Sequence, residues 1–202
     1  RQEVYVQKRL TLHELIVALD SNFEGREDLR KRLLAAPKFG NDNQEADSIF
    51  ERMWDDVNSR VSSAAEGTPL HFLSISCVNP GGYYMGRGTG ATADGRRAGT
   101  PFAIGNAPTA GCDQKGITAL CNSVAKVSPV NGGATTNFKL SREMFQPTPK
   151  FAKTVFGVYF SSGGQHATLT VVNQDDLKAA VKEPEKYAHI LVRVGGWAAR
   201  FI

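Results

Sequence analysis

The sequence predicts an α/β fold, and three observations carry that expectation. Segments with strand alternation, 70–78 and 166–172, are separated by segments with helical spacing. Glycine-rich runs stand where strands would end. The order strand, loop, helix, strand is that of a mixed layered domain, in which function gathers at loops beyond strand ends.

Each element has its own signal. Thr11-Leu12-His13-Glu14 has the form of a capping box and predicts a helix from Thr11 toward Asp20. Leu29, Leu33 and Leu34 predict a short helix that stops before Pro37. Ala46, Ile49, Phe50, Met53, Trp54, Val57 and Val61 recur at helical spacing and predict an amphipathic helix capped by Asn41 or Asp42. Its aromatic and methionine stripe reads as core packing. The run 70–78 (LHFLSISCV) predicts a strand, and 79–101 reads as a glycine-rich loop. Ile117, Leu120, Cys121 and Val124 share one face of a helix over 114–127. A short strand over 137–140, a helix over 151–160 and a strand over 166–172 follow. Asn173 stands as cap to a helix over 175–181, whose first turn holds Asp175 and Asp176 against the helix dipole. A final strand over 190–194 delivers a glycine pair.

Composition narrows the function classes. Hydrophobic residues make up 41% of the 202, as a packed globular domain requires. No run reaches the roughly 18 apolar residues that span a bilayer, so no membrane partner is expected. The net charge of +4 comes from interspersed charges, with no basic stripe carrying aromatics, so no nucleic-acid partner is expected either. Arg1-Gln2-Glu3-Val4 is no signal peptide, and a start without methionine predicts a fragment or a processed chain. Cys77, Cys112 and Cys121 are odd in number and lack metal-like spacing, which predicts reduced thiols in a cytoplasmic protein. His13, His71, His166 and His189 are scattered, so no metal site is expected. Gly86-Arg87-Gly88-Thr89-Gly90 fits no phosphate-loop spacing and reads as a structural loop organised by Asp94, Arg96 and Arg97. Gly163-Gly164-Gln165-His166 reads as a turn ahead of a strand.

The closing residues Val192-Arg193-Val194-Gly195-Gly196-Trp197-Ala198-Ala199-Arg200-Phe201 are the most informative. A strand end with a Gly-Gly turn accounts for them simply. A second reading is a stored electron spin. An α-carbon radical is planar and conjugated with the amide on either side, and a β-carbon would crowd it, so glycine supports it best.

Other strings decide between these readings. Ala36-Pro37-Lys38-Phe39-Gly40-Asn41-Asp42, Thr89-Gly90-Ala91-Thr92-Ala93-Asp94-Gly95-Arg96-Arg97-Ala98-Gly99, Asp113-Gln114-Lys115-Gly116, Asn122-Ser123-Val124-Ala125-Lys126, Gly163-Gly164-Gln165-His166, Pro184-Glu185-Lys186-Tyr187 and Arg193-Val194-Gly195-Gly196-Trp197 occur in this order. Together they resemble the C-terminal part of the glycyl radical enzymes, the family of pyruvate formate-lyase, diol dehydratases, arylacetate decarboxylases and benzylsuccinate-type synthases.

The resemblance implies the C-terminal portion of a ten-stranded α/β barrel with its glycine-loop domain. It divides the chain into an outer helical segment at 1–65, barrel strands and loops at 66–160, and a glycyl radical domain at 161–202. It makes Gly196 the radical residue, supported by Arg193, Val194, Gly195, Trp197, Gln165 and His166. It implies no bound cofactor or metal. The radical is a modification introduced by a radical-SAM activating enzyme, which itself carries the S-adenosylmethionine and iron–sulfur cluster. It implies a catalytic cysteine upstream of this chain, so Cys77, Cys112 and Cys121 receive no role. A homodimer, a small-molecule substrate and an anaerobic cytoplasm are expected, and Ile202 falls short of the family's usual end. Trp197, where tyrosine is commoner, points away from formate-lyases. The resemblance as a whole leans toward carbon–carbon bond chemistry of the arylacetate decarboxylase or succinate-adduct type. The alternatives are a stand-alone radical carrier without its own catalytic cysteine, a formate-lyase, or a dehydratase.

Overall fold

A computed structural model of the chain describes residues 1–202 apart from 73, 78–80, 128–131, 147, 172, 195, 196, 201 and 202; over 191–194 and 197–200 it describes the strand backbone. Its elements in order are α1 (Leu12–Asp20), α2 (Glu27–Ala35), α3 (Gln44–Ala65), α4 (Gly81–Arg87), α5 (Gly116–Ala125), β1 (Thr136–Leu140), α6 (Lys150–Ser161), β2 (Ala167–Val171), α7 (Gln174–Lys182), β3 (Leu191–Val194) and β4 (Trp197–Arg200). The architecture is mixed helix and strand.

The N-terminal helices form one small core. Thr11 caps α1 as expected: its hydroxyl accepts from the Glu14 amide at 3.1 Å, and Glu14 accepts from the Thr11 amide at 2.8 Å. Thr11→Ala removes the cap and is expected to lower stability by about 1 kcal/mol in urea unfolding. α1 ends in a Schellman turn, with the Phe23 amide reaching the Ala18 carbonyl at 2.8 Å and the Asn22 amide reaching Leu19 at 2.9 Å. The turn needs a positive φ, and Asn22 adopts 51°. It drops Phe23 beneath the helices, fully buried among Leu10, Leu15, Ala18, Leu29 and Leu33.

A second core lies between α5, α6 and the first sheet. β1 and β2 pair in parallel, from Thr136 opposite Ala167 to Leu140 opposite Val171, and α6 is the crossover between them. Phe138, Phe156 and Tyr159 meet edge to face, with Phe138 centred 5.2 Å from Phe156 and 5.5 Å from Tyr159. Leu120, Cys121, Val124, Leu140 and Val155 complete the cluster.

Several expectations are corrected. The strand over 70–78 reduces to a single parallel bridge, Ser76 to Ala134, among its described residues. Alternation supplies no ladder partner by itself, and Leu70, Phe72 and Ile75 remain more than half exposed. Residues 81–87, read as loop, form α4. Gly82 and Gly86 lie one turn apart, and a β-carbon at Gly86 would stand 2.7 Å from the Pro101 α-carbon. Glycine therefore serves close backbone approach here rather than flexibility. The cap of α3 is Asn43, which accepts from the Ala46 amide at 3.2 Å, not Asn41 or Asp42. Asn173 holds the N-cap position of α7, but its side chain accepts from the Arg142 amide at 3.2 Å and so ties α7 to the end of β1. β4 was not expected at all.

Candidate functional site

The closing strands set the frame. β3 and β4 are antiparallel, with Leu191 opposite Arg200 and Val194 opposite Trp197. Arg193 and Val194 thus lie on β3, and Trp197 opens β4. Gly195 and Gly196 fall between the paired residues and lie outside those described. β3 comes near β2, which belongs to the other two-stranded sheet, and one of the expected support strings forms the start of β2.

That start is built by Gly163-Gly164-Gln165-His166, and each residue has a physical task. α6 ends in a second Schellman turn. The Gly164 amide bonds the Tyr159 carbonyl at 2.9 Å, and the Gly163 amide bonds Phe160 at 3.2 Å. Gly163 adopts a φ of 108° there, which a side chain would oppose. Gly164 is pressed onto the Tyr159 ring, and a β-carbon would overlap the ring carbons. Gln165 then accepts from the Ala134 amide at 3.0 Å through its side-chain oxygen. The flanking groups Gly133 O and Thr135 N pair with Ser76, so Gln165 supplies the missing ladder partner on the opposite edge. The Tyr159 hydroxyl donates to the His166 carbonyl at 3.1 Å. His166 Nε2 lies 3.5 Å from the Thr168 hydroxyl. Gln165 and His166 thus take part in a brace at the start of β2. Tyr159, which sequence reading passed over, is the hub of that brace. Burial pushes its phenol above the usual tyrosine range.

Two distant strings form a second junction. Asn41 accepts from the Gln114 and Lys115 amides at 2.9 and 3.1 Å and donates to the Cys112 carbonyl at 2.6 Å. The Ser123 hydroxyl accepts from the Asp42 amide at 2.8 Å and donates to Asp47 at 3.0 Å. Lys126 spans both carboxylates, 2.9 Å from each, and Asn122 donates to Asp42 at 2.8 Å. Burial opposes the Lys126 charge, but the bonds to Asp47 and Asp42 outweigh it and raise its pKa. The Asn122 bond, then Lys126, hold the Asp42 carboxyl below the usual range.

The sign for Asp42 follows from a depressed folded value: its stabilisation is complete above the ordinary aspartate range and is lost as pH falls through the depressed value. Asp42→Asn is expected to flatten the acid limb of thermal midpoint against pH below about pH 4.

The loop 89–99 is structural, as expected. Arg96 is buried, donates to the Thr100 carbonyl at 2.6 Å and to Gly90, and stacks over Phe102 at 4.4 Å. Asp94 accepts from the Arg96 amide at 3.2 Å, and Arg97 donates to the Asn22 carbonyl at 3.1 Å and pairs with Glu27. The cysteines form no disulfide, and burial raises the Cys121 thiol to about 11. That sulfur lies in the aromatic core with Tyr159, away from any open surface. Among the described residues no helix is long and apolar enough to cross a membrane.

Comparison with known proteins places these features. The family model described as "Glycine radical" matches residues 102–202, and that described as "Pyruvate formate lyase-like" matches residues 1–82. The isethionate sulfite-lyase of Bilophila wadsworthia (strain 3_1_6) is 33% identical over 208 residues, 98% of this chain and 25% of that protein. The trans-4-hydroxy-L-proline dehydratase of Clostridioides difficile is 29% identical over 100% of this chain and 26% of its own length. The glycerol-bound B12-independent glycerol dehydratase from Clostridium butyricum superposes with a TM-score of 0.86 at 33% identity, over 99% of this chain and 26% of that one. The chain thus spans about a quarter of the length of the curated relatives it matches. With half of its residues matched by the one family model and most of the rest by the other, the chain belongs to the glycyl radical enzymes.

Proposed function

We propose that this chain carries the radical-storing hairpin of a glycyl radical enzyme, with the spin on Gly196. The observation that carries this reading is the family match over 102–202 together with the hairpin whose paired strands flank that glycine. A radical-SAM activating enzyme removes a hydrogen atom from the Gly196 α-carbon. The radical then passes to a cysteine outside this chain, which becomes a thiyl radical and attacks a small-molecule substrate. Cys77, Cys112 and Cys121 take no part; the buried setting of Cys121 supports that assignment. In the whole enzyme the chain supplies closing strands of a ten-stranded barrel and outer helices, with 1–65, 66–160 and 161–202 as its units, and the enzyme works as a homodimer.

The match of residues 1–82 to the formate lyase-like model favours a catalytic enzyme over a stand-alone carrier, which would not need that segment. For the reaction class, the relatives above are a sulfite-lyase and two dehydratases. They favour radical elimination of a leaving group next to the activated carbon over the carbon–carbon bond chemistry first expected from the family resemblance.

The test is oxygen exposure of the activated full natural polypeptide. A glycyl radical reacts with oxygen and its backbone breaks there, so mass spectrometry should find a cut at Gly196 only after activation. An intact chain under those conditions would refute the assignment.

A further inference from the structure

The register of β1 on β2 sorts the side chains of the first sheet onto two faces. Thr136, Phe138 and Leu140 are buried, the last two in the aromatic core with α5 and α6, and Ala167 of β2 packs against the same cluster. Successive residues of a strand alternate sides, so Asn137 and Lys139 of β1 share the other face with Thr168 and Thr170 of β2. There Asn137 stands opposite Thr168, and Lys139 opposite Thr170.

A parallel pair joined by a crossover helix is usually apolar on both faces, because a layer packs on each. Every strand residue on this second face is polar. Nor is it an ordinary solvent face. Thr168 and Thr170 are 9% and 8% exposed, and the Asn137 side-chain oxygen is closed off from solvent with no hydrogen-bond partner. Interior polar atoms are paired as a rule, and an apolar layer laid on this face would leave still more of them unpaired. The face is suited to a polar occupant.

Its charge says which kind. Lys139 is exposed, and among the described residues its ammonium has no ion pair and the Thr170 hydroxyl has no hydrogen bond. Positions 135–140 and 166–171 hold no Asp or Glu, so the strands themselves offer that cation no counter-charge. An ammonium beside a hydroxyl is a donor pair for a carboxylate or sulfonate, with the charge-assisted bond as the stronger of the two. A neutral polyol would use the hydroxyl and leave the cation unanswered.

We propose that this face of β1 and β2 binds a small oxyanion, a carboxylate or a sulfonate, through the Lys139 ammonium and the Thr170 hydroxyl, and that the substrate of the whole enzyme is accordingly anionic. The substrate clause rests on the reading of the chain as part of an enzyme that acts on a small molecule. Anion binding itself needs no radical, so it is measured on the enzyme before activation.

The test is calorimetric titration of the full natural polypeptide, unactivated, with acetate and methanesulfonate as oxyanion probes and glycerol and 1,2-propanediol as neutral ones. At least one oxyanion should bind, and more tightly than either polyol. Lys139→Met should weaken that binding about tenfold or more, the share of a hydrogen bond to a charged group, and Thr170→Val about fivefold, the share of a neutral one. Lys139→Arg keeps the charge and should retain most of the affinity. Lys153→Met, an exposed lysine on α6 across the sheet, should bind as the parent does. Unchanged melting temperatures establish that the variants are folded, and Lys139→Gln replaces Lys139→Met should the latter not fold.

A parent enzyme that binds neither oxyanion, whether or not it takes the polyols, overturns the proposal. So does oxyanion binding that is unchanged in Lys139→Met, or that falls equally in Lys153→Met. An activated enzyme without an organic-radical signal would overturn the Gly196 assignment instead, and the titrations would still decide the anion site.

Discussion

Gly196→Ala is expected to abolish the organic-radical signal altogether. The argument is steric and electronic. A planar α-carbon radical needs both neighbouring amides in conjugation, and a methyl group on that carbon clashes with the flattened backbone. An alanine would also leave no glycine hydrogen for the activating enzyme to remove. Anaerobic electron paramagnetic resonance after activation should show the doublet of a single α-hydrogen in the parent enzyme and none in the variant. Turnover should fall to background, and oxygen should no longer cut the chain. Gly195→Ala is the informative companion, because the resemblance makes Gly195 a support and not the radical residue. It should keep the doublet. A signal that survives Gly196→Ala, or disappears only in Gly195→Ala, would move the radical to a different carbon.

Lys126→Met is expected to be the most damaging substitution for folding away from the hairpin. Asp47 has no exposed surface, and its second carboxylate oxygen has no hydrogen-bond partner. Its charge is tolerated because the Lys126 ammonium and the Ser123 hydroxyl both meet the other oxygen. Removing the ammonium strands a buried carboxylate, which costs about 3–5 kcal/mol. Urea unfolding should show that loss. Asp47→Asn in the Lys126→Met background should recover most of it, because the neutral amide no longer needs a counter-charge. A loss below about 1 kcal/mol, the value of an exposed ion pair, would show that water reaches Asp47.

The two results would separate chemistry from architecture. The first addresses the carbon proposed to hold the radical. The second opens the junction between 41–47 and α5 and leaves the hairpin sequence untouched.

Much of this was legible before any coordinates. The Thr11 box, the helical period of α3, the helices over α5 and α6 and the strand at β2 all announce themselves through local rules, because hydrophobic period and capping chemistry act over a few residues. That period did not place the stripe of α3 in a core as expected, since Ile49, Met53 and Val57 stay exposed. The loop of Asp94 and Arg96 was legible for the same local reason, since its bonds close within about a dozen residues, whereas Arg97 reaches back to Asn22 and Glu27. α4 was not. Its glycines read as breakers, and only the backbone of 100–103 pressed against them shows why glycine is needed. The strand over 70–78 failed in the opposite way: its alternation is strong, but pairing requires a partner chain segment that alternation cannot name.

From sequence alone came the family strings, their order, and Gly196 as the residue whose missing side chain suits a stored spin. Tertiary structure alone decided what the other residues of those strings contact. Gly164 makes room for a ring five residues earlier, Gln165 completes a ladder begun by Ser76, and Lys126 joins two carboxylates some eighty positions upstream. These are contacts between segments remote in the chain. Side-chain volume and hydrogen-bond direction fix them only once the backbone has brought the partners within about 3 Å of one another.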